Sequence, residues 1–225
     1  MLWINSDKKI VIPHYVHNMA CTIAGFQIFC YYGTKLLNTG REHYNVETVI
    51  DKAIPLIPWT VIIYIAAFLF WAAYYLCILS SDLESARTLT IADLISKAIC
   101  FVIFLAVPTE MVRPDFQVTG AASWVLKTVY AIDTPRNLFP SIHCSMSWMC
   151  FIAINNNKNA SKHLKLFTLL ASAAICLSTM TVKQHVFLDV ISGIGVAYIS
   201  YYIAVLILKK NNKENKKENK AALSN

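Results

Sequence analysis

His185 and Asp189 stand four residues apart in the stretch Lys183-Gln184-His185-Val186-Phe187-Leu188-Asp189, where one apolar segment ends and another begins. On a helix that spacing puts both on one face, one turn apart, where a carboxylate can orient an imidazole. An activated histidine has this geometry, and so does a polar pair that only marks a helix start. Two further clusters bear on the choice. Arg113-Pro114 follows one apolar segment, and Pro140-Ser141-Ile142-His143 opens another. Two histidines, a carboxylate and cations brought to one place would suit the transfer of an anionic group. One histidine would act as nucleophile, the other as acid and base, and the cations would neutralise developing charge. The same histidines with Asp189 could instead hold a metal, but a third strong ligand at helical spacing is missing.

The elements that must position these residues are membrane-spanning helices. The chain has 225 residues, is 56% hydrophobic and only 15% charged, with a mean hydropathy of +0.49. That is too apolar for an ordinary soluble domain, and the chain is too short for several domains. A hydrocarbon core of ~30 Å needs roughly 20 helical residues, and six windows qualify. They run over about 16–37, 60–79, 91–112, 139–155, 166–182 and 190–208. The expected fold is therefore all-α, a six-transmembrane-helix bundle over residues 1–208, followed by a basic, disordered tail over 209–225. The net charge of +7 owes much to that tail, which reads as an anchor beside acidic lipid headgroups, and nucleic-acid binding is not expected.

Placing the tail in the cytoplasm also places Lys158, Lys162, Lys165 and the N-terminal Lys8 and Lys9 there. The loops over about 38–59, 113–138 and 183–188 then face the other side, and all three clusters lie in them or at the helix starts that follow them. Pro55 and Pro58 break helix before Trp59, and Val125, Val129 and Ile132 sit at helical spacing, as in a short helix on the membrane surface. In the third window Asp93 and Lys97 form a helical ion pair expected near a membrane interface, and Glu110 lies close to Arg113. Gly193 and Ala197 form a small-x-x-x-small pattern for close helix packing. The seven cysteines lie in or beside apolar segments without a Cys-x-x-Cys pair and read as small buried hydrophobes.

Arg113-Pro114, Pro140-Ser141-Ile142-His143, and Ser178-Thr179 followed by His185 and Asp189 resemble, in order and spacing, the three motifs of the type 2 phosphatidic acid phosphatase superfamily. The wording around Pro108-Thr109, Asn137 to His143 and Lys183-Gln184-His185 is similar to the lipid phosphotransferase branch near inositol phosphorylceramide synthase. The resemblance implies a six-helix membrane enzyme of the cell membrane with an extracytoplasmic site, acting without cofactor or metal on a lipid phosphate or lipid-linked diphosphate. It implies that His185 forms a phosphohistidine, with Asp189 orienting it and His143 serving as acid and base, and that Arg113 and Ser141 hold the phosphate. Two motif positions differ, with Ala106 where the family has Lys and Thr179 where it has Arg. Lys97 is sixteen residues from Arg113, about 24 Å along a helix, and cannot substitute. Lys183 and Arg136 are the nearer replacements. Hydrolysis and transfer to an alcohol would use the same residues. A non-catalytic transporter or scaffold that kept the bundle is the alternative from another class.

Overall fold

The computed structural model describes residues 13–222, with side chains described through residue 215. Among the described residues eight α-helices are formed: α1 His14–Leu37, α2 Val49–Ala53, α3 Val61–Leu79, α4 Leu83–Ala106, α5 Ala121–Ile132, α6 Ile142–Asn156, α7 Lys162–Thr181 and α8 Phe187–Ala222. Two short strands, β1 Tyr44–Asn45 and β2 Thr109–Glu110, pair in parallel, and a 3₁₀ turn, Pro58–Thr60, precedes α3. Lys8 and Lys9 lie outside the described residues.

The protein is an integral membrane protein, and among the described residues four helical stretches are long and apolar enough to cross a bilayer: Pro58–Leu79, Leu83–Ala106, Lys162–Thr181 and Phe187–Asn215. Of the six expected spans, those over the first and fourth windows do not meet that length and composition. The helix over the first window forms as α1 but includes His17, Asn18, Gln27 and Lys35. The fourth, α6, has 15 residues and a rise of about 22 Å, because its N-cap Ser141 starts it inside the protein, where non-helical backbone is shielded from lipid.

The third expected window also shifts, from 91–112 to Leu83–Ala106. Asp82 caps the start by accepting from the Ser85 N–H at 2.8 Å, and Pro108 ends the helix. Asp93 and Lys97 are consequently in mid-helix, 1% and 2% exposed, as a buried ion pair. They do not snorkel to an interface. Tyr75 of α3 donates to Asp93 Oδ1 at 2.7 Å and satisfies the second carboxylate oxygen. At the other end of the sequence, the tail expected to be disordered continues α8 as helix through Ala222. Lys, Glu and Ala are good helix formers, and Lys210 lies 3.9 Å from Glu214 one turn on.

Three loops gather at one end of the bundle. Strand β1 pairs with β2, Glu110 bridges to Arg136, and the Phe187 N–H donates to Asp51 Oδ1 at 2.7 Å. The Thr109 hydroxyl accepts from the N–H groups of Leu138 (2.9 Å) and Phe139 (3.0 Å), which fixes the loop entering α6. On the membrane side the core is built where α4 packs on α8 and α6 on both α7 and α8. Gly193 makes the α6–α8 approach possible, since a Cβ there would run into the Ser141 carbonyl and meet Cys144 Cβ at 3.1 Å. Five of the seven cysteines are buried and two, Cys21 and Cys77, are exposed.

Candidate active site

Helix α7 ends at Thr181, and the chain turns through Lys183, whose φ of 53° lies in the left-handed region, before α8 begins. The Thr179 carbonyl accepts from both the Gln184 N–H (2.9 Å) and the His185 N–H (3.1 Å) and closes this turn. Asp189, in the first turn of α8, then reaches back. Its Oδ2 lies 3.2 Å from His185 Nδ1 and accepts from the Val186 N–H at 3.0 Å. A carboxylate at Nδ1 fixes the proton there and leaves Nε2 for chemistry. Burial works against the imidazolium of His185, but the Asp189 hydrogen bond and charge outweigh it and raise His185 above its ordinary value.

His143 arrives from the first turn of α6. Its ring centroid is 5.7 Å from that of His185. Three aromatic side chains of α3 surround it: Tyr64 stacked at 4.6 Å with an interplanar angle of 22°, Trp71 at 5.2 Å and Phe68 at 5.9 Å. Trp71 Nε1 donates to Ser147 Oγ at 2.9 Å, and Ser147 donates to the His143 carbonyl at 2.8 Å, so the cage is tied to the backbone it encloses. His143 Nε2 is buried without a hydrogen-bond partner. A buried nitrogen without a partner calls for one, and a ligand in the cavity would supply it.

Both histidines line a cavity of about 630 Å³ whose wall is mostly apolar, with the half-exposed Arg136 at its mouth and Asp133 and the buried Gln184 in its wall. Its size suits a drug-sized or lipid-like ligand. Arg136 also pairs with Glu110 at 3.7 Å, both side chains half exposed.

The remaining expected residues are placed differently. Arg113 stands behind Gln184: its Nη2 donates to Gln184 Oε1, its Nη1 to the Asp133 carbonyl at 2.6 Å, and its guanidinium lies 4.5 Å from the Tyr130 ring centroid. Its Nε is buried and unpaired. Burial pushes Arg113 down from its ordinary value, with Asp133 and Tyr130 acting the other way. Ser141 is the N-cap of α6, its Oγ accepting from the Cys144 N–H at 3.2 Å, while its own N–H donates to the Asp189 carbonyl at 3.0 Å. Both groups expected to bind phosphate are thus engaged by the fold. Lys183 is not among the cavity residues, and its ammonium donates to the carbonyls of Asp51 (2.8 Å) and Ile54 (2.6 Å).

Sequence reasoning missed Tyr64, Phe68 and Trp71, whose i, i+4, i+7 spacing is indistinguishable from ordinary lipid-facing or core positions of a span. It also missed Gln184 and Asp133, which link Arg113 to the cavity. Among the described residues no three His, Cys, Asp or Glu side chains are gathered as a metal site.

A family model described as "PAP2 superfamily" matches residues 86–213, more than half of the chain, a stretch that includes Arg113, Arg136, His143, His185 and Asp189. No curated protein and no solved structure matches the chain.

Proposed function

The chain belongs to the PAP2 superfamily, and from that premise we propose that it is a membrane phosphatase acting on a lipid phosphate or lipid-linked diphosphate through a phosphohistidine on His185. Membership carries a phosphatase or phosphotransferase type of function. The observation supporting the finer reading is the pair of histidine rings 5.7 Å apart at the wall of a mostly apolar cavity, one of them held by Asp189.

In the first half, His185 Nε2 attacks phosphorus, the bond from phosphorus to the lipid oxygen breaks, and His143 gives its proton to that oxygen. Asp189 stabilises the imidazolium that develops on His185. In the second half His143 takes a proton from water, the water oxygen attacks phosphorus, and the P–N bond breaks to regenerate His185 and release phosphate. Arg136 at the mouth, and Arg113 once its short contact to Gln184 is exchanged for a phosphate oxygen, neutralise the equatorial oxygens. Arg136 takes over from the Lys and Arg absent at Ala106 and Thr179. The apolar wall takes the lipid chain, so the substrate enters from the bilayer. The site faces the extracytoplasmic side of the cell membrane and the C-terminal tail lies in the cytoplasm.

Phosphate release from a panel of lipid phosphates by the purified protein tests this reading. Release lost in His143→Ala and His185→Ala is expected, and absence of release from every lipid phosphate by the wild type contradicts it. Adding acceptor alcohols to the same assay separates hydrolysis from transfer, because a transferase forms the new phosphoester in place of free phosphate.

A further inference from the structure

The cavity wall is not wholly apolar away from the histidines. Gln27 of α1 and Lys97 of α4 both line it. The C-terminal ends of α1 and α4 lie together at the site end of the bundle, where Asn38 Nδ2 donates to the Phe104 carbonyl and to Asn137 Oδ1, each at 2.8 Å. Gln27 precedes Leu37 by ten residues and Lys97 precedes Ala106 by nine, so both lie about 14–15 Å below that end. That is near the middle of a hydrocarbon core of ~30 Å. Two polar side chains from different helices therefore meet the same apolar cavity at the same depth.

Each has unused hydrogen-bonding capacity. Gln27 Oε1 is enclosed and has no partner. The Lys97 ammonium has three donors and, among the described residues, one partner, Asp93. Ionisable groups at membrane depth that face a cavity mark ligand or ion pathways.

We propose that Gln27 and Lys97 form a polar subsite in the cavity wall that takes a hydroxyl carried partway along the apolar chain of the substrate. The inference rests on the lipid phosphate reading above and narrows its substrate class to chain-hydroxylated amphiphiles. A hydroxyl donates one hydrogen bond and accepts others, so it can donate to Gln27 Oε1 and accept from Lys97 Nζ together. The alternatives match less well. A carboxylate has no proton to give Gln27 Oε1, an ammonium would be repelled by Lys97, and a chain without a hydroxyl would leave Gln27 Oε1 unpaired beside it. The wall between this level and the histidines, from Ile28, Ile65 and Met146, suits the methylenes between phosphate and hydroxyl.

The test uses two matched pairs of lipids, each pair identical except for a mid-chain hydroxyl. One pair are phosphate esters, read by phosphate release, and the other are non-hydrolysable phosphonates, read by calorimetric binding. The wild type is expected to bind the hydroxylated phosphonate at least ~10-fold more tightly, because a site built for a hydroxyl discriminates against its absence. That ratio should fall to about 1 in Gln27→Leu. It should also collapse in Gln27→Asn, which keeps the polarity and withdraws the amide by one methylene. A merely structural role for Gln27 would shift both lipids together and leave the ratio in place. Equal binding by the wild type, as when Gln27 and Lys97 meet only water, overturns the subsite, and so does a preference that survives both substitutions. A binding preference without phosphate release from either ester overturns the hydrolytic reading and leaves the subsite standing. Binding of neither phosphonate overturns both.

Discussion

The Ser141 N–H donates to the Asp189 carbonyl at 3.0 Å. The residue that starts the helix of His143 is therefore bonded to the residue that holds His185. One backbone hydrogen bond between α6 and α8 sets the separation of the two imidazoles, and Gly193 keeps the helices close enough for it to form.

Gly193→Ala should disturb that separation before it disturbs the bundle. A methyl group there collides with the Ser141 carbonyl, and forcing a group into such packing costs about 1–3 kcal/mol. Phosphate release should fall by more than the fraction of protein that unfolds, and Gly193→Leu should abolish folding. Thermal unfolding in detergent, compared with activity on the same sample, measures both.

The pH dependence follows from Asp189. His185 must be neutral to attack, and Asp189 raises it above its ordinary value of about 6.5. The acid limb of kcat/KM should therefore lie above that value, with activity rising as pH rises through it. Asp189→Asn should move the limb down and lower kcat by about 10²–10⁴. For stability the sign is opposite. A histidine raised in the folded state stabilises the fold below its unfolded value, and this contribution is lost as pH rises through the folded value. Urea or thermal unfolding across pH 5–9 should show that loss in the wild type and less of it in Asp189→Asn.

Lys183 and Arg136 should separate by assay. Lys183 bonds two carbonyls of the α2 region and clamps that segment to the turn before α8. Lys183→Met should lower stability by about 2–3 kcal/mol, as expected for losing hydrogen bonds to a charged group, with little change in KM. Arg136 lines the cavity, and Arg136→Met should raise KM for a lipid phosphate about tenfold with little change in melting temperature.

The buried pair in α4 gives a fourth expectation. Asp93→Leu leaves the Lys97 ammonium unpaired in the interior and should destabilise by about 3–5 kcal/mol, whereas Asp93→Leu with Lys97→Met removes both charges and should recover most of that loss. Chemical denaturation of the single and double variants decides it.

The sequence analysis located His143, His185 and Asp189 because their spacing is local and their chemistry is rare in apolar segments. Arg113 was expected at the phosphate and stands behind Gln184, a partner that the sequence does not announce because the contact joins residues 71 apart. Lys183 was expected at the phosphate because it lies two residues from His185. Proximity in sequence did not give its direction, which the left-handed turn and the carbonyls of the α2 region decide. A hydropathy window does not register that α6 is buried by its neighbours and begins at an internal cap, which is why it is shorter than the other helices of the bundle. The depth of Asp93 and Lys97 was misjudged for a related reason. The cap at Asp82 starts α4 eight residues before the apolar window does.

Trapping phosphate on the protein decides the mechanism. Wild-type protein mixed briefly with a lipid carrying a labelled phosphate and quenched in denaturant should retain label that is acid-labile and base-stable, as a phosphohistidine is. The label should be absent from His185→Ala and should accumulate in His143→Ala supplied with a lipid whose leaving group needs no proton. Label that persists in His185→Ala, or rapid phosphate release with no trapped label in any variant, would contradict attack by His185.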